Sequence, residues 1–337
     1  FCKKVYSKNY RAMKKILLVS NQRPNKDGVG NPIMLRMKRS MEGNPRVEQV
    51  EFLPFANSIR SLLEIRSKAR KFDIVHVHFG GLYALVIWFF LLGLGKRKFI
   101  TFHGTDIHAK SLKSAKTTKL RLKIKLNQQA SFLCVRLYDK CGMVAKEMMQ
   151  YVPNTLKVRY EKKFFLQQLG VDYETFVPST TSEAQKQLGL EQGHYVLFSD
   201  VANTPIKRRD IAEAIVNNMG EKYKLLIMCG VKPNVVPLYI NAADFVLLTS
   251  DEEGSPNIIR EALALNKRVY SVDVGDAAKQ LKGLKNSLIV SRNALDASKA
   301  ILLNLESAYI DNTRTKQQKV LDFKCINENV IGLYENS

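Results

Sequence analysis

The sequence predicts an α/β protein of two Rossmann-like lobes with a C-terminal helix, and three observations carry that expectation. Short apolar runs ending in turn formers alternate with amphipathic stretches, as parallel core strands alternate with covering helices. The alternation occurs twice, separated by a loosely patterned region near residues 170–192. With 337 residues, 45% hydrophobic and 25% charged, the chain is long enough for two cores and too apolar for disorder.

The first set opens with KILLVSNQ from Lys15, then NKDGVGNP at 25–32 and a helical pattern through Met41. VEQVEFLPF (47–55), FDIVHVHF (72–79) and KFITFHG (98–104) read as further strands. The most apolar run, LYALVIWFFLLGLG at 82–95, has 14 residues. A bilayer-spanning helix needs roughly 20, so this run reads as a buried helix. In 110–126, Leu120, Leu122, Ile124 and Leu126 alternate with Arg121, Lys123 and Lys125, which has the period of a strand. With Lys110, Lys113, Lys116 and Lys119 included, the segment also fits a basic surface helix with an apolar row Leu122, Leu126, Ala130. Helix is preferred, because a strand candidate, SFLCVRLY at 131–138, follows at once.

The second set comprises strands at 194–200, 223–230, 244–250 and 268–273, separated by helices such as 207–218. The expected organisation is a first lobe over 13–172, a second over 173–320, a cleft between them, and a helix over 321–337 packing back on the first lobe. Position 1 is not Met, and Met13 is read as a candidate start.

The formal net charge is +22, and it is segregated. Residues 1–165 carry 34 Lys/Arg against 10 Asp/Glu, or +24, whereas 166–337 carry 19 against 21, or −2. A charge excess confined to one half points to a polyanionic surface met by that half alone, a nucleic acid or an anionic membrane leaflet. The basic residues are not interleaved with aromatics in a recognisable nucleic-acid module, which favours the membrane and argues against nucleic acid. Five cysteines (Cys2, Cys134, Cys141, Cys229, Cys325) lie scattered without CxxC spacing and read as free thiols of a reducing, cytoplasmic compartment.

The most informative segment is TSDEEGSPNIIREALALNKRVYSVDVGD at 249–276. Glu253 precedes Gly254, Ser255, Pro256 and Asn257, with Ser255 as the expected N-cap and Pro256 as the first residue of a helix that carries Glu261. Two carboxylates so placed can accept hydrogen bonds from the hydroxyls of two sugar rings. The amides of Gly254 to Asn257 at a helix start would face an anion such as diphosphate. Paired histidines His76 and His78 end a strand and read as structural, since no third metal ligand suggests itself.

This segment, with YINAADFVLLTS before it, resembles the donor-site signature of the retaining GT-B glycosyltransferases of family four. Within that family it is similar to enzymes that build bacterial cell-surface polysaccharides such as teichuronic and colanic acid. The resemblance extends through DIVHVHFGG, TFHGTD, VAKEMMQYVPN, GVDYETFVP and IKRRDIAEAIV. It implies a GT-B architecture in which Glu253 contacts the donor sugar, Glu261 the ribose hydroxyls and Lys207 the diphosphate. It also implies that Gly28 and Gly30 bring backbone close to the phosphates, that Val231 lies where the base is read, and that His103, with Asp106 nearby, serves the sugar and acceptor site.

The expected activity is therefore a retaining, metal-independent sugar transfer from a UDP- or GDP-linked donor, with no cofactor. The expected acceptor is lipid-linked, met at the inner face of the plasma membrane. Two departures from the family pattern bear on this. Relatives carry Arg in an R-P-x-K motif where Thr204 stands here, with Arg208 or Arg209 as possible substitutes. Gln168-Leu169-Gly170-Val171-Asp172 replaces P-N-G-V-D. Thr204 leaves open a catalytically weakened relative that keeps donor binding; a nucleotide-sugar epimerase is a separate alternative, told apart by whether an acceptor is consumed.

Overall fold

A computed structural model describes residues 13–21, 32–108, 117–200, 204–307, 314 and 321–335. The described chain forms two compact units. The first runs to Leu169 and resumes at Phe323; the second is Gly170–Asp322.

The first unit is built on a six-stranded sheet of order β2-β1-β3-β4-β5-β6, parallel throughout. Its strands are β1 (Lys14–Ser20), β2 (Val47–Pro54), β3 (Ile74–His78), β4 (Arg97–Phe102), β5 (Lys140–Met143) and β6 (Phe164–Leu166). Because strand side chains alternate, β1 sends Leu17 and Val19 into one apolar layer and Ile16 and Leu18 into the other. The first layer lies under α2 (Ile59–Ala69), α3 (Leu82–Phe90), α4 (Thr118–Leu137) and α5 (Asn154–Arg159). The second lies under α1 (Pro32–Met41) and the C-terminal helix α12 (Phe323–Glu335).

That last helix packs back on the first lobe, as expected. Tyr334, fully buried, meets Phe99 edge to face at 5.0 Å, and its hydroxyl bonds His76. Arg46 pairs with Glu328 and Glu335, and Asn327 bonds Ser40. Burying Val330, Ile331 and Tyr334 contributes about 1.5–3 kcal/mol each.

Two expectations are corrected here. Residues 131–138 are not a strand: α4 continues through them to Leu137, because Ala130, Phe132, Cys134 and Val135 follow a helical spacing into the core. The strand in that region is the four-residue β5. The apolar run at 82–95 forms a nine-residue helix that is not buried all round: Ala84 and Ile87 face the core, while Leu82, Val86 and Phe89 are exposed.

The second unit carries a five-stranded parallel sheet, β11-β10-β9-β7-β8. These are β7 (His194–Ser199), β8 (Tyr223–Met228), β9 (Phe245–Leu248), β10 (Arg268–Ser271) and β11 (Leu288–Ile289). One face is covered by α6 (Thr181–Gln187), α8 (Val236–Ala242), α9 (Asn257–Ala264) and α10 (Ala277–Leu281). The other is covered by α7 (Arg209–Asn218) and α11 (Ala294–Leu305). Both units are thus doubly wound α/β lobes of Rossmann type.

Candidate functional site

In a doubly wound sheet the crevice that accepts ligands lies at the carboxyl ends of the two strands whose connections leave in opposite directions. In the second unit these are β7 and β9, which are adjacent while α7 and α9 cover opposite faces. The loops leaving them are joined to each other. Thr249 Oγ1 donates toward the carbonyls of Lys207 (3.0 Å) and Arg208 (2.9 Å), and the Asp251 amide donates to Ile206 O at 2.8 Å.

Lys207 closes a 3-10 turn over Pro205–Lys207, and its Nζ lies 2.6 Å from Glu253 Oε1. The two side chains are 26% and 15% exposed, so water screens the pair only partly. Arg208 takes a left-handed conformation at φ 54°, ψ 53° and caps α7. Its guanidinium is held by Asp210 at 2.7 Å and Asp251 at 3.4 Å, which raise its pKa further, while Arg209 pairs with Glu213 at 2.8 Å. Both arginines that could replace the missing one at Thr204 are therefore engaged by neighbouring carboxylates.

The loop from Glu253 to Asn257 is braced from below. Ser255 is not the N-cap of α9: that position falls to Pro256, and no side chain caps the helix. The Ser255 hydroxyl instead donates to Asp276 at 2.7 Å and accepts from Arg260, also at 2.7 Å. Arg260, 2% exposed, further donates to Ser255 O at 3.2 Å and Asn257 Oδ1 at 2.9 Å. Burial lowers the Arg260 pKa, and Asp276 and Glu261 oppose that shift. Gly275, at φ +59°, completes the brace: a Cβ there would lie 2.8 Å from Gly254 O. Glu261 sits in the second turn of α9, 7% exposed. Val231 is half-buried in the loop after β8 and packs against the same core as α9.

Arg260, Gly275 and Asp276 were not singled out by sequence reasoning, although all three lie within the quoted signature. Arg260 and Asp276 meet Ser255 and Gly275 approaches Gly254, contacts that no periodicity announces. Arg292 was missed as well; it donates to Ser250 O at 2.8 Å and to Asp251 at 2.9 Å, tying the segment just before α11 to the loop after β9.

In the first unit the corresponding strands are β1 and β3, with β4 beside β3. Gly28 and Gly30 lie outside the described residues. His103 follows β4 directly and is partly buried. Its Nε2 is 3.1 Å from His78 Nδ1, and its ring stacks on Phe79 at 4.0 Å and 24°. Asp106 is buried and accepts from the amides of Gly80 (2.7 Å), His103 (3.0 Å) and Gly104 (2.8 Å). It braces the turn rather than facing outward. Burial lowers the pKa of His103 to about 3 and raises that of Asp106. His76 is satisfied, by Tyr334 and by Thr101 at 2.8 Å, whereas His78 Nε2 is buried with no partner among the described residues.

Among the described residues no group of three or more His, Cys, Asp or Glu is placed to hold a metal ion. No described helix is long and apolar enough to cross a membrane.

Comparison with solved structures decides the architecture. Anabaena HepE in complex with UDP and glucose superposes with a TM-score of 0.69 at 14% identity, covering 96% of this chain and 100% of that one. The fold is GT-B. The same GT-B arrangement relates the chain to sucrose-phosphate synthase from Thermosynechococcus elongatus, with a TM-score of 0.66, 14% identity and coverage of 96% and 99%. WaaG, a glycosyltransferase involved in lipopolysaccharide biosynthesis, matches with a TM-score of 0.66 at 12% identity, covering 96% and 100%. No family model and no curated protein matches the sequence.

Proposed function

We propose that the chain transfers a sugar from a nucleotide-diphosphate sugar, and the observation that carries this reading is the Lys207–Glu253 pair at the β7/β9 crevice of a GT-B fold. Lys207 offers positive charge to a diphosphate leaving group, and the uncapped amides at the start of α9 add to it. Glu253 receives hydroxyls of the donor sugar and Glu261 those of the ribose. The loop at Val231 reads the base; Gly28 and Gly30, which the family resemblance assigns to the phosphates, lie outside the described residues. Arg208 steadies the loop pair through Asp251. His103 serves the acceptor side. HepE has been solved with UDP-glucose, which supports a UDP-linked donor.

In this reading transfer retains anomeric configuration by same-face attack, the donor phosphate helping to take the acceptor proton. The sequence carries no Asp-x-Asp site, and Lys207 stands where a metal ion would otherwise be needed; activity is accordingly expected to persist in excess EDTA. Loss of turnover in EDTA that magnesium or manganese restores would overturn this part. The acceptor is lipid-linked and reached from an anionic leaflet at the inner face of the plasma membrane, in cell-envelope polysaccharide synthesis.

The decisive experiment is a thermal-shift screen against UDP-, GDP- and ADP-sugars, followed by transfer assays with polyprenyl-linked acceptors. A raised Tm with one nucleotide sugar and formation of a glycosylated lipid are expected. Absence of any shift would refute donor binding. A second reading, a weakened donor-binding relative, is favoured by Thr204 and by the engagement of Arg208 and Arg209. It predicts a shift without transfer.

A further inference from the structure

We infer that His78 sets the tautomer of His103, so that His103 carries its hydrogen on Nδ1 and offers it as a hydrogen-bond donor at the carboxyl edge of the first sheet. The two rings share one hydrogen bond, His78 Nδ1 to His103 Nε2 at 3.1 Å. Burial holds both imidazoles neutral, so each ring has a single N–H and the shared bond uses only one of them.

Two arrangements satisfy this. If His103 donates, the hydrogen of His78 must sit on Nε2, which is sealed from solvent with no acceptor among the described residues. If His78 donates, that sealed nitrogen is left with only a lone pair, and the hydrogen of His103 moves to Nδ1. A buried N–H without an acceptor is the rarer and costlier defect, and the second arrangement avoids it.

The surroundings hold both rings in place for this exchange. His78, 0% exposed, stacks on His76 at 4.3 Å, and His76 is itself anchored by Thr101 and Tyr334. On the other side the face of His103 lies against Phe79. Phe79 adopts φ +69°, a left-handed conformation that a bulky residue rarely takes. It is kept there by its own amide bonding Thr101 O at 2.8 Å and by Asp106 gripping the next amide, that of Gly80. With its face and Nε2 engaged, His103 keeps Nδ1 without a hydrogen bond among the described residues and so has it left for a ligand. His78 thus acts as a positioning residue. It acts through His103 on whatever hydroxyl or carbonyl oxygen that nitrogen meets.

The functional consequence rests on the sugar-transfer reading; the tautomer does not, and the experiment separates them. The full chain labelled with 15N has five histidines, whose ring nitrogens can be assigned by single substitutions in two-bond 1H–15N spectra. At pH 7 His103 should show a protonated Nδ1 and a bare Nε2. In His78→Phe that pattern should be lost. In His78→Asn, whose side-chain amide can still donate to Nε2, it should be kept. Turnover should fall on the order of 10- to 100-fold in His78→Phe with donor KM little changed, and recover in His78→Asn. A proton on His103 Nε2 in the unaltered chain, or identical spectra for the Phe and Asn variants, would overturn the assignment. Correct spectra without any effect on turnover would instead refute the role of His103 in transfer.

Discussion

Glu253 and Glu261 flank the same helix start but are held differently, and their substitution should separate two properties. Glu253 meets Lys207 on the loop, whereas Glu261 is buried in α9 beside the buried Arg260. Glu253→Gln should mainly lower turnover, and Glu261→Gln should mainly weaken nucleotide binding, each on the order of tenfold or more. Steady-state kinetics with calorimetric nucleotide titration checks this, and equal, negligible effects would remove both from the site. The buried histidines make a prediction about pH. His76 and His103 have folded pKa values lowered by burial to about 3, and that of His78 lies well below the usual value. Between roughly 6.5 and 3 the unfolded chain binds protons that the folded chain refuses. Stability is therefore full above the unfolded value and declines as pH falls through this window, by up to about 1.4 kcal/mol per pH unit for each group. Urea midpoints at pH 7 and pH 5 should show the drop, and His76→Gln should shrink it. At this scale Glu253, Lys207 and His103 were marked by residue type and context, and the fold brings the first two together. Phe79 and Arg260 were not, because backbone strain and tertiary bracing leave no local signature.

Among the elements, α4 bears most directly on the basic first half. Gly81 and Leu82, at the start of α3, meet Asn127 in the middle of α4, and Trp88 Nε1 bonds Leu137 O near its end, so the two helices run side by side. Residues 118–126 consequently extend about 13 Å beyond the start of α3 at the carboxyl edge of the sheet. Leu120, Leu122 and Leu126 are exposed there among Lys119, Arg121, Lys123 and Lys125. Lys110, Lys113 and Lys116 lie outside the described residues. We predict that this arm binds anionic liposomes, and that binding weakens with salt as the screening length shrinks to roughly 3 Å at 1 M. A smaller salt-resistant part from the leucines should remain. Equal sedimentation with neutral and anionic lipid, or binding unaffected by charge reversal of 119–125, would return the arm to ordinary surface. The helix here was legible although its period suggested a strand, but its length was not. Where the apolar spacing passes from exposed to buried at Ala130, the sequence reads as two elements and the fold makes one. Short β5, β6 and β11 escaped notice because two to four residues are too few to show a period.

At the scale of the whole molecule, doubly repeated strand-helix alternation was enough to read two Rossmann-like lobes, since central strands such as β1 and β9 are buried on both faces and so read as apolar runs. A helix over 321–337 returning to the first lobe was expected from the sequence, and α12 makes that return. Deleting α12 should expose Met34, Met37 and Phe99 and lower the cooperative unfolding temperature of the first unit while sparing the second. Tyr334→Ala should cost about 3–5 kcal/mol by itself. Calorimetry resolving two transitions would check both, and an unchanged first transition would refute the role given to the helix. The same feature sets an order of maturation. Domains generally complete themselves in the order in which they leave the ribosome. Here the second unit, Gly170–Asp322, is whole before the first, whose closing helix is synthesised afterwards. The nascent first lobe must wait with one apolar flank open for the entire translation of the other, which makes that interval the window in which chaperones would be needed.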